Sequence, residues 1–360
     1  MGKFEIVRTK KSRLVDIDWN NLKFGQYFSD HVFMTDYVNG KWDNGKIIPY
    51  GPMDIEPGNC TLHYAQTIFE GLKAFRDVKG GVNIFRPDKN AERLNVSAQR
   101  LCIPTYDVNS LVQAMVELVK VDNEFIPKHR GHSLYLRPVV FGISNFLGVH
   151  SSSDFRLIIM TSPVASYYPT GLNPVKILVE DQLVRAAKGG VGAAKTGGNY
   201  AASLLAGKRA AERGYAQVLW LDAITRELVN EVGAMNIMFL IDDELITPPL
   251  DEGTILPGVT RASVLQLARD WGLKVSERGI SIAEIADAQS KGKLQEVFGT
   301  GTAAVISPVG VLAYKNKDYN INDMKIGPVA QKFYDTITGI QYGEIPDKYG
   351  WNVHFEVDSL

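Results

Sequence analysis

Cysteine is scarce: the 360-residue chain has only Cys60 and Cys102, which form no C-x-x-C pair and no metal-ligand spacing. That excludes a disulfide-built scaffold, and two free thiols in a reducing cytoplasm are expected. The six histidines are scattered without an H-E-x-x-H helix, so no protein-ligated metal is expected. Charge of either sign is not in excess, with 39 Lys and Arg against 40 Asp and Glu. Such a chain lacks the basic surplus that draws proteins to nucleic acid or to anionic membranes. No apolar run reaches the length of a membrane span, and none near the start serves as a signal-peptide core. The opening residues MGKFEIVRTKKSRLVDID are basic, but Glu5, Asp16 and Asp18 argue against an acid-poor organellar leader. Internal repeats and low-complexity tracts are also missing. These absences point to a cytoplasmic globular protein with no membrane or nucleic-acid partner.

The length suits two domains. Asn39-Gly40 and Asn44-Gly45 both signal hairpins. Asp88 is the expected N-cap of a helix whose apolar stripe is Ala91, Leu94, Val96, Ala98 and Leu101. SLVQAMVELVKVDNEFI is a second helix, and SLYLRPVVFG and DFRLIIMTSPVA read as buried strands. The segment 166–175, which carries Pro169, Gly171 and Pro174, is the expected linker between domains 1–165 and 176–360. Beyond it lies a helix with Ala201, Leu204, Leu205, Lys208 and Ala211 at helical spacing, ended by Gly214. Strands outnumber helices without regular βαβ alternation, which predicts an α+β class.

One stretch, GGVGAAKTGGNY (189–200), places five glycines around Lys195. A lysine on such a loop can help cradle a phosphate or present an amine for a Schiff base. The first reading nearly matches G-x-x-x-x-G-K-[ST], the loop of nucleotide triphosphatases, but Ala194 replaces the glycine before the lysine. An ordinary solvated lysine is the third reading. Three other stretches bear on the choice. Glu231, in N-E-V-G-A-M-N, opens an apolar run, so its carboxylate needs a partner: a buried cation, or a protonated heterocyclic nitrogen. In L-P-G-V-T-R, Val259 and Thr260 begin a helix whose first N–H groups suit an anion. In G-T-G-T-A-A, Thr300 and Thr302 form a hydroxyl-rich turn able to bind phosphate or carboxylate oxygens.

At these residues the chain resembles the branched-chain amino acid aminotransferases, fold-type-IV enzymes that use pyridoxal 5′-phosphate (PLP). K-T-G-G-N-Y, N-E-V-G-A-M-N and L-P-G-V-T-R carry the likeness, with FEGLKAFR, SLYLRPVVFG and EVFGTGTA alongside, and it spans nearly the whole chain. The resemblance implies a smaller N-terminal α/β domain and a larger C-terminal domain with a β-rich, barrel-like core. It implies that Lys195 is the covalent partner of PLP and the proton carrier. Glu231 would pair with the pyridine nitrogen and Tyr200 with the phenolic oxygen. Arg93, Val259, Thr260 and Thr302 would hold the phosphate, with Arg86 a nearby competitor of Arg93. Phe24, Tyr64, Phe75, Tyr135 and Tyr200 would form an apolar and aromatic pocket for leucine, isoleucine or valine. Arg137 would pair with the distal carboxylate of glutamate, and Tyr64, Ala303 and Ala304 would receive the α-carboxylate. The family is dimeric, and Leu147 and Val149 match a loop that closes the partner's pocket. A D-amino acid aminotransferase or an aminodeoxychorismate lyase of the same fold is the alternative, and a nucleotide triphosphatase a distant one. Two departures stand out. Ala304-Val305-Ile306-Ser307 replaces the redox C-x-x-C of mammalian relatives, and Ala234 stands where relatives often carry threonine.

Overall fold

The structure, a computed structural model, describes residues 4–165 and 172–357. The chain forms two compact units, one of residues 1–167, 194–197 and 339–360, the other of 168–193 and 198–338. This corrects the expected run of 176–360 as one domain. Residues 339–360 join the first unit because Asn352–Phe355 pairs antiparallel with Val82–Phe85 and so covers a sheet edge whose backbone groups need partners. Residues 194–197 join it too. The Phe69 N–H donates to the Lys195 carbonyl at 3.0 Å, and Ile68 bridges to Thr196. Of the expected linker, residues 166–171 lie outside the described residues.

The α+β class holds. In the first unit a ten-stranded sheet is built round Ser133–Gly142 and Phe155–Val164, antiparallel along their whole lengths. Successive side chains of a strand face opposite ways. Leu134 and Leu136 therefore enter a core with Phe33, Leu94, Leu118 and Phe155, to which the helices Pro87–Arg100 and Val108–Val121 contribute. Tyr135, Arg137 and Val139 fall on the other face and line a cavity. Asn39-Gly40, with φ of 54° and 81°, makes the predicted hairpin between His31–Val38 and Lys41–Trp42. Asn44-Gly45 does not. Lys46–Pro49 pairs with His31–Val38 as well, so residues 43–45 are an interruption in one returning strand. Nor does Asp88 cap its helix: Arg86, at φ 49°, is the N-cap, Pro87 takes the first helical position and Asp88 sits in the first turn. Of the expected stripe, Val96 faces outward, being two residues from Leu94 and Ala98 and so on another side of the helix.

The second unit holds a nine-stranded mixed sheet. Val175–Glu180 lies between Gln217–Leu221 and Val305–Tyr314, parallel to both. The tight turn between Val229–Val232 and Asn236–Ile241, bridged Val232 to Met235, curves the sheet into a barrel-like core. Ile177, Leu219, Phe239 and Val297 fill it. The helix Gly197–Glu212 buries Asn199, Ala206 and Ala210. The predicted stripe of Leu204 and Leu205 instead faces outward, 70% and 49% exposed.

Candidate active site

In the first unit the segment Thr67–Arg76 organises the chemistry. Its Phe69 ring lies 4.9 Å from Lys195 Nζ and 4.7 Å from the Arg137 guanidinium. The backbone of Lys195 is fixed on both sides, since its N–H donates to Ser97 Oγ at 2.9 Å and its carbonyl accepts from Phe69. Part of the lysine side chain stays accessible. Its amine nevertheless loses enough water that burial, helped by the positive charge of Arg93, lowers its pKa to about 8. Glu70 opposes that shift.

Glu70 is completely buried and was not foreseen as a site residue. Arg93 meets it with a two-pronged pair, Nε to Oε1 at 2.7 Å and Nη2 to Oε2 at 2.8 Å, while Asn90 Nδ2 donates to Oε2 at 2.7 Å. Burial would raise the pKa of this carboxyl, but Arg93, the Lys195 charge and Asn90 outweigh it and hold it below its ordinary value. Asn90, Arg93 and Ser97 lie three and four residues apart on one helix, so they share a face. Arg93 thus reaches the site already committed to Glu70 through two of its five N–H donors. The competitor Arg86 is turned elsewhere: its guanidinium lies over Trp351 at 5.3 Å.

A cavity of about 400 Å³ lies in the same unit, lined by Phe24, Gly25, Phe28, Phe69, Tyr135, Arg137, Val139, Met160 and Ser162. Phe24 packs edge-on to Tyr135 at 4.8 Å, and Arg137 Nη2 donates to the Tyr135 hydroxyl at 3.1 Å. The hydroxyl can sit there because residue 71 is glycine: a Cβ at Gly71 would stand 1.8 Å from it. Three of the expected pocket residues, Phe24, Tyr135 and Arg137, line this cavity. Phe75 does not. Its ring is buried edge-on to Tyr342 at 5.1 Å and serves packing. Tyr64 is also outside the lining; it ends the short helix Cys60–Tyr64, and its hydroxyl donates to the Leu147 carbonyl. Leu147 and Val149 are 70% and 88% exposed. The reading of the sequence missed Phe28, Phe69, Val139, Met160 and Ser162. Period-two alternation from Tyr135 could have found Val139 and, on the paired strand, Met160 and Ser162.

The second unit carries the other predicted residues. Glu231 is buried in Val229–Val232. Its Oε1 accepts from the Leu256 N–H at 2.9 Å and Asn236 Nδ2 at 3.2 Å, and its Oε2 lies 2.8 Å from Arg185 Nε. The same arginine donates to the carbonyls of Gly192 and Thr254. The cation that a buried Glu231 demands is therefore Arg185, which sequence reasoning did not name. Gly192 is small for a backbone reason, since a Cβ would stand 2.5 Å from the Thr254 carbonyl oxygen. That explains this glycine without any phosphate. Tyr200 lies in the first turn of Gly197–Glu212, half-buried.

Val259 and Thr260 open the helix Val259–Asp270 behind Gly258, which supplies no side-chain acceptor. Thr302, Ala303 and Ala304 form the turn between Leu294–Gly301 and Val305–Tyr314, all half-buried. Val305 closes the turn at φ 63°, a conformation a β-branched residue adopts at a cost of about 1–3 kcal/mol. In the preceding strand, opposite Ile306, the buried Thr300 hydroxyl has no hydrogen-bond partner. Taken by themselves, the Lys195 amine of the first unit is of the type a PLP aldehyde requires, and the buried Glu231 carboxylate of the second is of the type that pairs with a pyridinium, so each fits that cofactor. Among the described residues no group of three or more His, Cys, Asp or Glu could hold a metal ion, and no helix is long and apolar enough to cross a membrane.

The model of the amino-transferase class IV family matches residues 67–311. The chain is 50% identical over 357 residues to branched-chain-amino-acid aminotransferase 2 of Bacillus subtilis, covering 99% of this chain and 97% of that one. Among solved structures it is similar to the branched-chain aminotransferase of the thermophilic archaeon Thermoproteus uzoniensis with norvaline, at a TM-score of 0.74 and 26% identity, over 89% of this chain and 99% of that one. A second solved relative, the T.th. branched-chain amino acid aminotransferase complexed with N-(5′-phosphopyridoxyl)-L-glutamate, gives a TM-score of 0.72 at 26% identity, over 90% of this chain and 97% of that one. The chain belongs to the class IV aminotransferases.

Proposed function

We propose that this chain is a PLP-dependent branched-chain-amino-acid transaminase, moving the amino group reversibly between L-leucine, L-isoleucine or L-valine and 2-oxoglutarate by a ping-pong mechanism. The observation that carries the reading is the cavity of the first unit. Its walls are apolar and aromatic, which suits a branched aliphatic side chain, yet it holds one guanidinium, Arg137, which suits a second carboxylate. A relative's complex with a phosphopyridoxyl derivative of glutamate supports both the cofactor and the acidic partner.

PLP, when bound, supplies an electron sink for the carbanion formed at the amino acid's α-carbon. Lys195 would be its covalent partner and the base that takes the substrate's α-proton. An amine with a pKa of about 8 suits that work near neutral pH. Glu231, paired with Arg185, would hold the protonated pyridine nitrogen, and Tyr200 would bond the phenolic oxygen. Arg93, the Val259 and Thr260 amides and the Thr302 hydroxyl would receive the phosphate, with Glu70 orienting Arg93. Ala303 and Ala304 present amides to the substrate's α-carboxylate, assisted by Tyr64. Phe24 and Tyr135 enclose the side chain. The working form is a cytoplasmic homodimer in which Leu147 and Val149 close the partner's pocket.

The test is glutamate formation from L-leucine and 2-oxoglutarate by the PLP-loaded protein, with D-alanine in parallel. L-leucine turnover with none from D-alanine is expected; the reverse would assign the D-amino acid alternative.

A further inference from the structure

Resting on that reading, one polar residue of the cavity lining remains without a role. Ser162 lines the cavity and is 4% exposed, and its hydroxyl, out of reach of solvent, has no hydrogen-bond partner. A buried unpaired hydroxyl is costly, so such groups mark a place where a partner arrives. Ser162 lies directly opposite Tyr135 in the sheet, and Arg137 is opposite Met160. Ser162 and Arg137 are therefore diagonal neighbours on one face, roughly 7–8 Å apart at the backbone and within reach of a long side chain. Arg137 Nε is also buried without a hydrogen-bond partner. No carboxylate belongs to the cavity lining, so the guanidinium has no counter-ion there. Phe24, Phe28, Phe69, Val139 and Met160 offer a bound molecule no further hydrogen bond from their side chains.

We propose that Ser162 is a specificity-determining residue: its hydroxyl donates a hydrogen bond to the distal carboxylate of the five-carbon dicarboxylate substrate while Arg137 pairs with the same group. The two substrates make opposite demands on one cavity. An aliphatic side chain needs a dry wall, and a carboxylate needs donors. A serine meets both, because its small hydroxyl turns to suit either occupant. Alanine at 162 would keep the wall and lose the donor.

The test is calorimetric binding of two unreactive probes, glutarate and 4-methylpentanoate, to the PLP-loaded protein. For Ser162→Ala the ratio of the two dissociation constants is expected to shift about tenfold against glutarate, the loss of one hydrogen bond to a charged group. Ser162→Cys, similar in size with a weaker donor, is expected to fall between the two and carries the test if the alanine variant folds poorly. An unchanged ratio, including equal weakening of both probes, overturns the proposal by reducing Ser162 to packing. Wild-type protein that binds glutarate but fails to transaminate L-leucine would sink the functional reading while leaving the Ser162 contact to stand on its own ratio.

Discussion

Lys195 differs from the chain's other loop lysines in where its proton sits. Its pKa of about 8, against the ordinary 10.5, leaves roughly a tenth of the amines neutral at pH 7, where an exposed lysine offers far fewer. Covalent capture of an aldehyde by the cofactor-free protein, trapped with borohydride and read at the peptide containing residue 195, is expected to rise with pH and level off just above 8. A yield still climbing through pH 9.5 would refute the burial argument. The peptide readout matters because Lys73, also buried, is lowered to about 8 by burial alone. The stability sign follows. Between pH 8 and 10.5 the unfolded chain holds protons on these amines that the folded chain has released, so their burial destabilises the fold less as pH rises through that window. The lysine itself was legible in the sequence because a glycine-dense loop advertises it. Arg185 was not, since its pairing with Glu231 spans 46 positions and no local pattern announces it.

At the scale of the element, the stretch from Thr67 to Arg76 sets Phe69, Glu70 and Gly71 where Lys195, Arg93 and Tyr135 need them. Glu70 was legible by the same logic that singled out Glu231: a lone carboxylate among apolar neighbours must have a partner. Its partner, however, lies 23 residues away on a helix whose plainest sequence signal is its apolar stripe. Replacing it tests the element. Glu70→Gln leaves Arg93 buried without its counter-charge, and urea unfolding at pH 7 should show a loss of about 3–5 kcal/mol. Because the folded pKa of Glu70 lies below 4.5, its contribution is full above that value and fades as pH falls through the lowered one. The gap between wild type and variant should therefore narrow on acidification below pH 4.5, and a gap that stays constant would assign the loss to packing. The helix Gly197–Glu212 teaches the opposite lesson about legibility. Its spacing was right and its face wrong, because alanines Ala206 and Ala210 pack inward while Leu204 and Leu205 remain outside. Apolar periodicity finds a helix, but it cannot say which of two apolar sides meets the core.

At the scale of the whole molecule, the first unit carries a loop that a single chain gives little to do. Leu147 and Val149 stand open to solvent, while the Tyr64 hydroxyl holds the Leu147 carbonyl and Phe146 stacks on His150 at 3.8 Å. A loop this well braced, with apolar tips this exposed, suits a surface that another chain covers. If it completes the partner's pocket in a two-fold dimer, two separately damaged proteins can repair each other. Lys195→Ala would then abolish turnover in its own subunit, and Leu147→Asp/Val149→Asp would spoil the pocket that its loop enters. In a hybrid dimer one site receives both defects and the other receives neither. Mixing the two inactive proteins under conditions of subunit exchange should then restore roughly a quarter of wild-type activity, since half the dimers are hybrid and each has one intact site. A loop that served its own subunit's pocket would leave the only intact Lys195 beside a damaged loop, and mixing would restore nothing. Size-exclusion chromatography of each parent protein separates that outcome from a failure to dimerise.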